Sequence, residues 1–126
     1  MNFEPQEVLA RPAQFHNEQI ESAALSILMN FPAAFDGVSD RLKPEHFAGD
    51  AHRAIYAELC RQMAAGKGCD VMSLVDALKG VVEPSDVLTI SSFNDWGARG
   101  IARHVQTLID TFKARQLHGL SYKMAE

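Results

Sequence analysis

The sequence predicts an all-α fold: a small bundle of about five to six helices, ending in one long helix. Three observations carry this prediction. Apolar residues recur at three- and four-residue spacings in successive windows, which places them on single helix faces. Prolines stand between those windows or at their starts, and Gly66 and Gly80 close two of them, while Gly97, Gly100 and Gly119 weaken the ends of the last. No stretch alternates apolar and polar residues as a half-buried strand would, and there is no internal repeat or low-complexity tract. A chain of 126 residues buries roughly two thirds of its unfolded surface, so such a bundle needs neither a disulfide nor a metal to stand.

Residues 1–16 contain Pro5 and Pro12 with a thin apolar cluster at Val8, Leu9 and Phe15, and read as a flexible arm. Residues 17–95 read as the globular bundle. Its first helix has Ile20, Ala23, Ala24, Ile27 and Leu28 on one face, with Asn17 as the expected N-cap. Pro32 opens a short second helix lined by Phe35, Val38 and Leu42, which Pro44 ends. After a turn holding Glu45, His46, Phe47 and Gly49, Asp50 is the expected cap of a third helix striped by His52, Ile55, Tyr56, Leu59, Cys60 and Met63 and closed by Gly66. Ser73 and Asp76 match a capping box for a fourth helix ending near Lys79, and Pro84 opens a small helix carrying Val87, Leu88 and Ile90. Residues 96–126 read as one long helix, because Ile101, Val105, Leu108 and Phe112 follow four-three-four spacing and no proline interrupts.

Twelve basic residues against sixteen acidic ones give a net charge of -4. That balance argues against a free-standing nucleic-acid binder, so any DNA contact is expected to be weak or indirect. Two cysteines, no signal-like N-terminus and no long apolar run predict a reduced, cytoplasmic protein with no membrane span.

No catalytic constellation emerges. The one Gly-Lys pair, Gly66 and Lys67, lacks the flanking pattern of a phosphate-binding loop, so no direct nucleotide binding is expected. His46, His52, Cys60 and Cys69 fit no zinc spacing; His52 and Cys60 read as polar members of a buried stripe, and His46 as part of a turn. Glu18 and Glu21 suit the first turn of the first helix through the helix dipole. Serines such as Ser73, Ser85, Ser91 and Ser92 suit caps and turns. The sequence therefore implies no catalytic, cofactor-binding or metal-binding residue, and no cofactor. The candidates that remain are for interaction. Arg99, Arg103, Lys113, Arg115 and Lys123 bias the long helix positive, and its seam is either core or an association surface.

Four groups of residues, in order, resemble one family. They are Glu21, Ala24, Leu25, Leu28 and Met29; then Leu42, Pro44, Glu45, His46 and Phe47 followed by His52, Arg53, Ile55 and Tyr56; then Gly66, Asp70, Val71, Ser73, Leu74 and Leu78; and finally Ala102, His104, Val105, Ile109 and Arg115. Together, over about residues 17–117, they resemble the N-terminal domain of bacterial and phage replicative DNA helicases of the DnaB type. The chain departs from that pattern in residues 81–93, where the family's glycine pair and aromatic are missing, and at Ser26, where a glycine is usual. The resemblance implies a non-catalytic domain that supports a hexamer collar, self-associates through its C-terminal helix or hairpin, and docks a primase or helicase loader. The parent chain would be an ATP-dependent DNA helicase of chromosomal, phage or plasmid origin. Ile101, Val105, Leu108, Phe112 and Arg115 are the interaction residues expected on the combined grounds of pattern and resemblance. The alternative is a stand-alone adaptor, loader or inhibitor that binds a helicase or primase; a small enzyme using His46 or His52 with Cys60 is a third reading.

Overall fold

The computed structural model describes residues 18–67, 70–93 and 100–125, with side chains as far as Leu117. The N-terminal arm, the Asn17 cap, Cys69 and Arg99 lie outside the described residues. Every regular element described is helical: α1 (Glu18–Asn30), α2 (Asp50–Ala64), α3 (Val71–Ala77), α4 (Pro84–Ser91) and α5 (Ile101–Ala125), with two 3-10 turns at Pro32–Gly37 and Pro44–His46.

Helix α1 is the central element. The sequence stripe accounts for Ala23, Ala24, Ile27 and Leu28, but Glu21, Leu25, Ser26 and Met29 are buried as well. A helix covered on more than one side is one that its neighbours surround, and α2, α4, α5 and the first 3-10 turn all pack on α1. The segment after Pro32 is a 3-10 turn followed by further turns rather than an α-helix, yet Phe35, Val38 and Leu42 all reach the core as their spacing predicts.

Two helix starts differ from expectation. Helix α2 is capped by Gly49 in an extended conformation, and Asp50 is its first residue, paired with Arg53 one turn on. Helix α3 begins earlier than Ser73: Asp70 is the N-cap, accepting 2.8 Å from the Ser73 amide and 3.0 Å from its hydroxyl. A carboxylate at that position satisfies the orphan amides as well as a serine would. Helix α2 ends as predicted at Gly66, which has φ 75°. The amide of Lys67 reaches the Gln62 carbonyl at 3.1 Å and that of Gly66 reaches Met63 at 3.0 Å, so the left-handed glycine closes the last carbonyls of the helix.

One core unites these elements. It contains Leu25 and Leu28 of α1, Ile55, Tyr56 and Leu59 of α2, Leu74 of α3, Val87 of α4, and Val105 and Leu108 of α5. The first half of the long helix thus belongs to the bundle. At the C-terminal end of α4 the carbonyls that have no intrahelical partner are met from α1: Ser26 Oγ donates to the carbonyls of Ser91 (3.2 Å) and Phe93 (2.9 Å), and Asn30 Nδ2 donates to Ser91 (2.9 Å). The serine that departs from the family's usual glycine therefore has a structural task here.

Candidate interaction site and the clamp beneath it

The predicted site residues lie on α5, and the structure divides them. Val105 and Leu108 are fully buried in the domain's own core, and Ile101 packs against that core while partly exposed. The apolar seam as a whole is therefore not a free face. Phe112 and Arg115 are half-buried one turn further on, against the Pro44–His46 turn. There the His46 ring meets Phe112 edge-on at 4.9 Å, and the Arg115 guanidinium lies over the Phe112 ring at 5.5 Å and donates to the His46 carbonyl at 3.5 Å.

His46 itself is fixed by its neighbours. Its Nδ1 accepts the Lys43 amide at 2.9 Å, so the neutral ring carries its proton on Nε2. Burial lowers its pKa; Glu45 opposes this, while Arg115, Lys43 and Lys113 add to it. Three cations thus converge on one spot of a net acidic chain.

The turn that receives α5 is held from below by a polar cluster that sequence reasoning did not assemble. Glu21, only 1% exposed, accepts from the amides of Ala48 (2.7 Å) and Gly49 (3.2 Å) and from His52 Nδ1 (2.6 Å). Because a carboxylate can only accept, His52 Nδ1 carries a proton, and its Nε2 lies 3.2 Å from Ser22 Oγ. Burial on its own would raise the Glu21 pKa, but the His52 hydrogen bond and the two amides outweigh it and hold the carboxyl below its ordinary value. Gly49 suits this close approach: a Cβ there would stand 3.0 Å from His52 Nδ1 and 3.5 Å from Glu21 Oε1, so a larger residue would press on the pair. Arg53, the other half of the His-Arg pair, donates to the carbonyl of Phe47 at 2.9 Å. Arg53 thus holds the 47–49 segment directly through its carbonyls, and His52 holds it through Glu21.

Ser22, His52 and Glu21 have the connectivity of a nucleophilic triad. Two observations assign the cluster to structure instead. Ser22 does not line the adjacent cleft, and that cleft is walled by Glu18, Asp50 and Asp86, whose charges oppose a developing oxyanion. Burial pushes the Cys60 thiol pKa up against the opposing pull of Tyr56 and Lys43, which favours the thiol over the thiolate. No group of His, Cys, Asp or Glu among the described residues is arranged to hold a metal ion, and no described helix is long and apolar enough to cross a membrane.

A turn opened by Pro44, a His-Arg pair at the head of α2 and a long C-terminal helix follow in the order of the sequence motifs, and the long helix packs on the turn. Residues 13–110 match the family described as the DnaB-like helicase N-terminal domain. The chain belongs to that family. The fold agrees: the crystal structure of the N-terminal domain of DnaB helicase from Mycobacterium tuberculosis superposes with a TM-score of 0.79 at 17% identity, covering 87% of this chain and 83% of that one. No curated protein matches the sequence significantly. The DnaB N-terminal domain is the non-catalytic part of a helicase, which accords with a cluster of polar side chains used for clamping rather than for chemistry.

Proposed function

We propose that this chain is the non-catalytic N-terminal assembly and docking domain of a replicative DNA helicase, which supports a hexamer collar and receives a primase or a helicase loader. Membership of the family over residues 13–110 is the observation that carries the reading. On this reading the parent chain couples ATP hydrolysis to duplex unwinding, and this domain works by presenting surfaces. Ile101, Phe112 and Arg115 border the presented face, while Val105 and Leu108 contribute by fixing α5 to the core. Self-association and partner docking then both depend on where α5 points, which follows from its packing on α1 and on the Pro44–His46 turn.

The test is complex formation between the purified chain and the primase or helicase loader of the same organism, read by size-exclusion chromatography with light scattering. A co-eluting complex that His46→Ala or Arg115→Ala weakens is the expected result. A folded chain that binds neither partner and remains monomeric at high concentration would overturn the reading.

A further inference from the structure

The Pro44–His46 turn is closed by a side chain that can change its charge. The His46 ring reaches back to accept the Lys43 amide on Nδ1 at 2.9 Å, the task that a Glu or Gln side chain performs in a capping box. Only the neutral ring can do this, because an imidazolium donates from both nitrogens. The same residue seats α5: its ring meets Phe112 edge-on at 4.9 Å, and its carbonyl accepts from Arg115 at 3.5 Å. The surroundings oppose a proton on that ring. Burial disfavours the charged form first; Glu45 favours it, and Arg115, Lys43 and Lys113 disfavour it again. The other ionic groups of the elements packed on the turn are engaged elsewhere: Arg53 of α2 donates to the Phe47 carbonyl and pairs with Asp50, and Asp110 of α5 accepts from Gln106 at 2.9 Å. A charged His46 would also have to share the Phe112 ring with the Arg115 guanidinium that already lies over it.

We propose that His46 is a proton-operated latch for the outer part of α5, holding the helix from Phe112 onward against the turn when neutral and releasing it when charged. A proton at Nδ1 takes the acceptor away from the Lys43 amide and adds a fourth cation to Lys43, Lys113 and Arg115. Binding is reciprocal: a proton that the seated helix disfavours must in turn disfavour the seating. The inner part of the helix has no such sensitivity here, since Val105 and Leu108 are held in the core by apolar contact alone. Acid therefore frees one end of α5 and leaves the bundle standing. The inference does not depend on the assembly reading above.

Hydrogen exchange of the full chain at about pH 7.5 and about pH 5, on either side of the ordinary histidine range, tests it once rates are corrected for the intrinsic effect of pH. Glu21 stays ionised across this window, because its carboxyl is held below its ordinary value. On acidification the amides of residues 112–117 should lose protection while those of residues 104–108 keep theirs. His46→Gln retains an acceptor for the Lys43 amide and cannot titrate, so its outer helix should be equally protected at both pH values. Should that variant melt early, Lys113→Glu carries the comparison: the site is exposed, and an acid in place of a cation that opposes the charged ring should shrink the effect of pH. Outer amides that acid leaves unchanged in the parent, or that are lost as fully in a folded variant as in the parent, would overturn the latch. Loss of inner and outer amides together would overturn it too, since the whole domain would then be unfolding.

Discussion

Glu21 is the residue on which the local architecture turns. Its carboxylate gathers two backbone amides and a histidine in a buried site, so removing it strands three donors at once. Leaving a buried donor unpaired costs about 1–3 kcal/mol, and Glu21→Ala, which strands all three, should lower stability by at least that amount in chemical denaturation. Acid sensitivity follows from the direction of the pKa shift. A carboxyl held below its ordinary 4.5 in the folded state contributes stability that is fully present above that value and is lost as pH falls through the folded value. Melting temperature should therefore drop more steeply below pH 4.5 in the parent than in Glu21→Gln; parallel curves would remove Glu21 from the clamp. Tyr56 gives a second local prediction. Its hydroxyl donates to the buried Leu42 carbonyl at 2.7 Å, and its ring lies between Phe35 and Phe47 at 5.9 and 5.1 Å. Tyr56→Phe keeps the ring packing and orphans the carbonyl, for an expected loss of about 1–3 kcal/mol by denaturant titration.

At the scale of the element, α5 shows how a seam can belong to two surfaces in succession. Val105 and Leu108 are core, so Leu108→Asp should abolish cooperative folding rather than merely dissociate an oligomer, which circular dichroism melting distinguishes from a folded monomer. Beyond Arg115 the helix runs on to Ala125, and Leu117 is exposed. The spacing of apolar residues located this helix and its buried stripe correctly, because periodicity reports which side is apolar and that side was found against α1 and the turn. It could not say which turns of the helix meet the chain's own core, since that depends on elements sixty and more residues away. The polar clamp was less legible for the same reason, Glu21 and His52 being thirty-one positions apart. A signal was nonetheless present: Glu21 shares a face with Ala24, Leu25 and Leu28, and His52 with Ile55, Tyr56 and Leu59, so each is an ionisable residue on an apolar stripe. Such a residue is rarely buried unless paired, and two of them in separate helices imply each other. Reading Glu21 through the helix dipole alone missed this. The start of α3 was misplaced because Asp70 and Ser73 are both good capping types, and the aspartate three residues earlier takes the amide that Ser73 would have needed a partner for.

In the whole molecule, what shapes the domain is distinct from what the domain does. The core and the clamp fix a turn and a helix relative to one another, and the exposed remainder of both is what another chain can meet. The central claim is that this surface serves assembly into a helicase collar. Native mass spectrometry of the complete natural gene product tests it most directly. The account predicts a multi-subunit species of hexamer scale that shifts to smaller forms as salt rises; a monomer at every concentration and salt would contradict it.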